Sequence, residues 1–330
     1  MQTLDLHIGA LRLQSPVVLA PMAGISDLPY RRIHSRFGAA LVYSEMVSAN
    51  GLIRSGKRTL ELVRSCPEER PLAVQLFGDD PAVVAEGARI VEPYADCLDI
   101  NMGCPVKKVI RSGAGSALLQ DPALIKRMVA AVRKASSLPL TVKIRSGWDA
   151  GSVNYPEVAR IIESEGADAL ILHPRTKAQG FGGHSDWSHL RDLKEQLRIP
   201  LIGSGDIQSL EDALRMKVDT GCDALMIGRG GYGNPWLVRD IADALAGRPQ
   251  QPPPSPGEKL EVALAHLDMA LELYGPAKAL CDMRKHLCWY SRGVAEAASL
   301  RSRINRSTDL RALREELISF FTTDLSRDCP

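Results

Sequence analysis

One alternation constrains this chain more than any other feature. From residue 17 to about 245, short β-rich apolar runs take turns with stretches of helical periodicity. The runs fall at Val17–Ala20, Ala40–Tyr43, Leu72–Leu76, Cys97–Ile100, Leu140–Ile144, Ala169–His173, Leu201–Gly203 and Ala224–Ile227. They are almost continuously apolar, as strands covered on both faces must be. Between them, Pro81–Val91, Pro122–Lys134 and Glu157–Glu165 carry helical spacing. Asp80-Pro81 and Asp121-Pro122 each place an N-cap residue before a proline at the first helical position. Eight strand–helix units in roughly 230 residues predict an α/β fold, a (β/α)8 TIM barrel, over an open sheet. Residues 4–16 alternate around Gly9 and predict a hairpin closing the barrel base.

The alternation ends at residues 247–257, GRPQQPPPSPG, which read as a semi-rigid proline-rich linker. Beyond it the strand signal vanishes. Glu258–Tyr274, Ala277–Tyr290, Ala295–Asn305 and Asp309–Phe320 are all expected to be helical. The expected organisation is a barrel over 1–246, the linker, and a small all-α domain over 258–330. A chain of 330 residues has room for both.

Several function classes drop out early. No stretch approaches 18 uninterrupted apolar residues, so no membrane span is expected. The start lacks a basic segment followed by an apolar run, so no signal peptide is expected. The seven cysteines form no Cys-x-x-Cys pair, so neither a zinc site nor any other metal site is expected, and a reducing cytoplasm fits. Net charge is only +2, so any nucleic-acid contact must come from local clusters. A monomer is the expected state.

In a barrel of this kind the working residues gather at the C-terminal ends of the strands. Polar or glycine-rich segments follow seven of the eight here. The first strand leads to Pro21, Met22 and Ala23, and the third ends at Gln75. The fourth runs into Asn101-Met102-Gly103-Cys104-Pro105, and the fifth carries Lys143 and Arg145. The sixth ends at His173, with Arg175 just beyond. The last two open into Ser204-Gly205-Asp206 and Gly228-Arg229-Gly230-Gly231. Those two glycine-rich loops predict a phosphate site, because glycine lets backbone N–H groups approach the oxygens closely. Each loop alone could equally be a tight βα turn.

Lys143 sits inside a strand and faces inward, so it needs an anionic partner. A reduced flavin would supply one, and an ion pair with Glu45 or Asp99 is the alternative. Gln75 is expected either on the polar edge of a flavin or as an interior amide, and His173 either on a ribityl or phosphate oxygen or as a core histidine. Cys104 stands apart from the other cysteines: it follows a strand end and begins a long glycine-containing loop to Ala117. A thiol mostly protonated at neutral pH suits an acid better than a nucleophile. A buried structural thiol is the competing reading. Cys97, Cys222, Cys281 and Cys288 are expected to be packing residues.

In order along the chain, LAPMAGISDLPYR (19–31), YSEM (43–46), INMGCPVKKV (100–109), GAGSALLQDP (113–122), VKIRSGW (142–148), HPRT (173–176), GSGDI (203–207), DALMIGRG (223–230) and MRKHLCWYSRG (283–293) resemble segments of the bacterial tRNA-dihydrouridine synthases. The resemblance spans nearly the whole chain, and its most specific part is Asn-x-Gly-Cys-Pro. It implies an FMN-containing barrel, NADPH as the electron source, and a helical tail that helps hold tRNA. It puts flavin contacts at Pro21, Met22, Ala23, Gln75, Lys143, His173, Ser204, Gly205, Asp206, Gly228 and Arg229. It makes Cys104 the proton donor, with Asn101 and Arg145 contacting substrate or flavin. Two positions depart from the family's usual residues: Pro174 stands where glycine is frequent, and Ser204 where asparagine is frequent. Serine keeps a hydroxyl for an oxygen ligand but lacks the amide.

The implied chemistry is addition of hydride at uracil C6 and of a proton from Cys104 at C5. The base must leave its stack to reach a barrel mouth, which calls for contacts along the RNA backbone. Residues 284–306 carry a local charge of +5 from Arg284, Lys285, Arg292, Arg301, Arg303 and Arg306 against Glu296. Lys107, Lys108 and Arg111 form a second cluster beside Cys104. Both are read as tRNA contacts rather than solvated helix faces. Two rival readings are an FMN barrel acting on a free pyrimidine, similar to dihydroorotate dehydrogenases, and an RNA-binding protein that has lost catalysis.

Overall fold

The computed structural model describes residues 6–325. Eight parallel strands form the barrel: β3 (Val17–Leu19), β4 (Val42–Tyr43), β6 (Leu72–Phe77), β7 (Cys97–Met102), β8 (Leu140–Arg145), β9 (Ala169–His173), β10 (Leu201–Ser204) and β11 (Ala224–Ile227). Hydrogen bonding runs β3-β11-β10-β9-β8-β7-β6-β4, and a parallel bridge from Val18 to Leu41 closes the ring. A short extra strand, β5 (Val47–Ser48), also pairs with β6. Every residue of β9 and β11 is buried, which is the reason their sequences show no alternation. Ala224 and Met226 point into the barrel, while Leu225 and Ile227 pack outward under the helices.

The hairpin β1 (Leu6–Ile8) and β2 (Leu11–Leu13) joins the interior cluster through Leu6, Ile8 and Leu13, so it plugs the base as expected. Residues 4 and 5 of the expected hairpin lie outside the described residues. Around the strands run α1 (Leu28–Arg36), α2 (Ala49–Ser55), α3 (Lys57–Leu60), α4 (Pro81–Val91), α5 (Lys107–Arg111), α6 (Pro122–Ala135), α7 (Tyr155–Ser164), α8 (Ser188–Lys194), α9 (Leu210–Thr220) and α10 (Trp236–Leu245). Asp80 and Asp121 accept N–H bonds at the starts of α4 and α6, as the Asp-Pro pairs predict.

The tail is α11 (Pro256–Tyr274), α12 (Pro276–Tyr290), α13 (Ala297–Arg306) and α14 (Leu310–Leu325). The linker is shorter than its composition suggests: Ser255 and Glu258 form a capping box, so Pro256 and Gly257 already belong to α11. The tail also leans closely on the barrel. Trp236 and Phe37 join the core of the tail, Tyr232 stacks on Trp289 at 4.1 Å, and Tyr274 donates to Asp27. Lys285 donates to the carbonyl of Gly24, in the loop after β3. No helix among the described residues is long and apolar enough to cross a membrane.

Candidate active site

The strand ends converge on a cavity of about 370 Å³ in the barrel mouth. Pro21, Met22 and Ala23 line it after β3, and Asn101 and Cys104 after β7. Lys143 and Arg145 enter from β8 and His173 from β9. Ser204, Gly205 and Asp206 follow β10, and Gly228 and Arg229 follow β11. Thirteen residues singled out from the sequence therefore share one cavity.

The two glycine loops are built for close approach. Gly205 has φ +108°, and a Cβ there would lie 2.5 Å from Ser185 Oγ and 2.6 Å from the His173 ring. A Cβ on Gly230 would meet the Ile207 carbonyl at 2.3 Å. Asp206, itself at φ +59°, accepts from Arg175 Nη2 and from the Ser185 N–H, both at 2.8 Å. Burial pushes the Asp206 carboxyl up, but the Ser185 N–H and Arg175 outweigh it and hold the group below its ordinary value.

Positive charge dominates the cavity. Burial, then Lys143, Arg145, Arg175 and Arg229, drive His173 well below its ordinary pKa, so its ring is neutral. Burial and Arg145 lower Lys143 to about 8, against the pull of Asp99 and Cys104. Neither expected ion pair of Lys143 forms: Asp99 is occupied by Gln75 and Thr141, and Glu45 accepts from the Gly24 N–H. The Lys143 ammonium makes no hydrogen bond or ion pair with any described residue. A half-buried ammonium without a protein partner, two glycine-rich loops and this surplus of cations together fit an anionic, phosphate-bearing cofactor such as FMN. Among the described residues, no group of three or more His, Cys, Asp or Glu is placed to hold a metal ion.

Cys104 is half-buried on the rim. Burial pushes its thiol up, and the Val106 N–H, Arg145 and Lys143 only partly offset that, so it is protonated at neutral pH. Its segment, expected from the sequence as a loop, is not all loop. The short helix α5 and a 3-10 turn, Gly115–Gln120, fold it back onto β7. Gly115, at φ +62°, packs so closely that a Cβ would lie 2.8 Å from the Cys104 carbonyl. Asn101 Oδ1 accepts from the Gly103 and Cys104 N–H groups at 3.2 and 2.9 Å. Arg145 Nε donates to the Gly103 carbonyl at 2.9 Å, and its Nη1 holds the Thr176 and Gly180 carbonyls. Arg145 therefore braces both sides of the mouth besides facing it.

Other residues named from the sequence lie outside the cavity. Gln75 does not line the cavity: it is fully buried beneath the floor and bonded to Asp99 and Asn101, because β6 turns it toward β7. Arg284 donates to the Ser307 carbonyl and Arg303 pairs with Glu316 on α14, so both have intramolecular partners. Lys107, Lys108 and Arg306 are exposed, and Arg301 is half-buried; none of the four lines the cavity. Cys97 and Cys222 are buried as expected, but Cys281 is exposed on α12 and is no packing residue. Phe181, Tyr232 and Met46 line the cavity without having been singled out. Phe181 lies in a Gly-rich stretch, FGG after a glycine, but a single aromatic there carries no periodic signal.

Comparisons with known proteins agree with this geometry. Residues 18–324 match the family model described as dihydrouridine synthase. The tRNA-dihydrouridine synthase B of Pasteurella multocida is 41% identical over 317 residues, covering 96% of each chain. The protein of that name from Xanthomonas campestris pv. campestris is 39% identical over 303 residues, covering 92% of this chain and 91% of its own. Among solved structures, a 2-naphthoyl-CoA reductase complex superposes with a TM-score of 0.57 at 13% identity. It covers 74% of this chain, which spans about half (52%) of that one, and it speaks for the barrel fold alone.

Proposed function

Because this chain belongs to the dihydrouridine synthase family, we propose that it reduces uridine in tRNA to 5,6-dihydrouridine, with bound FMN, NADPH as electron donor and Cys104 as the acid. The observation that carries the reading is a protonated thiol and an unpartnered ammonium lining one cationic cavity. Lys143 would hold the anionic part of the isoalloxazine, and Ser204, Gly205, Gly228 and Arg229 the phosphate. When bound, FMN would supply the hydride chemistry, with uracil C6 as the acceptor.

The residues of the chain do the rest. Asn101 and Arg145 hold the two ends of the Gly103–Cys104 peptide, Asn101 at the Cys104 N–H and Arg145 at the Gly103 carbonyl. Burial keeps the thiol protonated until the enolate develops and takes the proton at C5. Neutral His173 accepts from Arg175 Nη1 at Nε2, at 3.2 Å, which leaves its Nδ1–H as the donor for a ligand oxygen. The basic tail, packed beside the mouth through Lys285 and Trp289, supplies contacts to the RNA backbone.

The test is Cys104→Ala. The variant is expected to keep its yellow flavin and its reduction by NADPH. It should lose roughly 100- to 10,000-fold in dihydrouridine formed on tRNA, the usual weight of a general acid. Near-normal turnover at neutral pH would remove Cys104 from that role. Equal wild-type turnover of free uridine and tRNA would overturn the substrate.

A further inference from the structure

Beneath the cavity lies a buried polar chain that starts at a carboxylate and ends at the backbone of Cys104. Thr141 Oγ1 and Gln75 Nε2 donate to Asp99, at 2.5 and 2.6 Å. Asn101 Nδ2 donates to Gln75 Oε1 at 2.8 Å, and Asn101 Oδ1 accepts from the N–H groups of Gly103 and Cys104. Gln75 and Asp99 are fully buried and Asn101 is 5% exposed, so water does not substitute for a lost partner.

The chain has a direction. Backbone N–H groups can only donate, so Asn101 must turn its oxygen to them and its NH₂ to Gln75. Gln75 must then turn its oxygen to Asn101 and its NH₂ to Asp99. Asp99 must accept from two donors at once, which the ionised carboxylate does with both oxygens. Rotating either amide by half a turn would set donor against donor. We propose that Asp99 is a positioning residue for Cys104: its carboxylate locks the Gln75 and Asn101 amides in the one orientation that holds the Cys104 segment. This rests on the reading of Cys104 as the acid.

The titration of Asp99 agrees with the geometry. Burial raises it to about 7, against the pull of Thr141, Gln75 and Lys143. The titratable groups facing it are Lys143 from β8, Tyr43 from β4 and Cys97 from β7. Lys143 loses its charge only on the alkaline side, near 8, and burial pushes Tyr43 and Cys97 well above their ordinary values. Of these groups, Asp99 is the one that changes charge as pH falls below neutrality.

The experiment replaces Asp99 by Leu, of similar size, which leaves the Gln75 NH₂ without its acceptor. Cys104 is read directly by peptide-resolved alkylation with iodoacetamide on the flavin-loaded protein, with Cys66 as internal standard. The Cys104 rate is expected to change by on the order of tenfold, the weight of one lost buried hydrogen bond. A rate within about twofold of wild type would overturn the proposal, since a change that small lies inside the scatter of uncoupled sites. In tRNA turnover, Asp99→Leu combined with Asn101→Ala should cost no more than Asn101→Ala alone; additive losses would place the effect outside this chain. If Asp99→Leu does not fold, Asp99→Asn decides. Wild type should lose turnover as pH falls through the titration of Asp99, and the amide variant should lack that acid limb; a retained limb overturns the proposal. A wild type that reduces no tRNA would sink the proposed function, while the alkylation rates would still report on the positioning.

Discussion

Lys143→Met separates stability from function. In the flavin-free protein, Lys143 is a charge without a partner, lowered from 10.5 to about 8. A drop of that size corresponds to about 3 kcal/mol of destabilisation at neutral pH, and screening through the open cavity mouth reduces this to roughly 1–3 kcal/mol. Methionine removes the charge, keeps the length of the side chain and breaks no hydrogen bond. Loss of the lysine lets Asp99 rise further, and a protonated Asp99 keeps that secondary cost small. Flavin-free Lys143→Met should therefore be more stable than wild type, with a midpoint higher by roughly 1–4 °C for a chain of this length. The sign follows from linkage. The folded lysine binds its proton more weakly than the unfolded one, so the deficit of wild type is complete below about pH 8 and vanishes as pH rises through 10.5. Thermal unfolding at pH 7 and at pH 10.5 checks both halves. FMN affinity should move the other way, weaker by roughly 10- to 150-fold, the weight of a hydrogen bond to a charged group. A variant no more stable than wild type at pH 7, with unchanged FMN affinity, would refute the account of Lys143 as an ammonium awaiting an anion.

Two further perturbations follow from the geometry. Gly205→Ala places a methyl against Ser185 and His173 at positive φ, so it should lose FMN and cost on the order of 1–3 kcal/mol. At Gly228 a methyl would meet only Ala20, at 3.8 Å, so Gly228→Ala should crowd the protein far less than Gly205→Ala, and its loss of FMN is to be compared with its flavin-free stability. Changing Arg301, Arg303 and Arg306 together to Gln should flatten the log–log salt dependence of tRNA binding by about 1.4, because Arg303 is held by Glu316 and two phosphate contacts at about 0.7 each remain. Parallel slopes would leave these arginines as a solvated face.

How far the sequence carries depends on how local the cause is. Strand positions were legible because a strand buried on both faces must be apolar along its whole length; Ala169–His173 and Ala224–Ile227 match residue for residue. The Asp-Pro helix starts were legible because capping is decided within three residues. The ring of strand ends followed from the barrel itself, which brought Cys104, Lys143, His173 and the two glycine loops into one cavity. Other features are set by partners far along the chain. Gln75 belongs to the floor because Asp99 and Asn101, 24 and 26 residues away, take both ends of its amide. Arg145 braces the mouth through carbonyls at Gly103, Thr176 and Gly180.

The linear pattern by itself determined the architecture, since periodicity and turn chemistry act over a few residues and recur eight times. It also determined which residue types stand at the mouth. Only the tertiary structure decided which of those groups are satisfied by the protein and which await a ligand. Hydrogen-bond pairing across a closed barrel joins residues whose separation in sequence bears no relation to their separation in space. Lys143 and Arg145 lie two residues apart on one strand, yet one is left without a partner while the other holds three carbonyls.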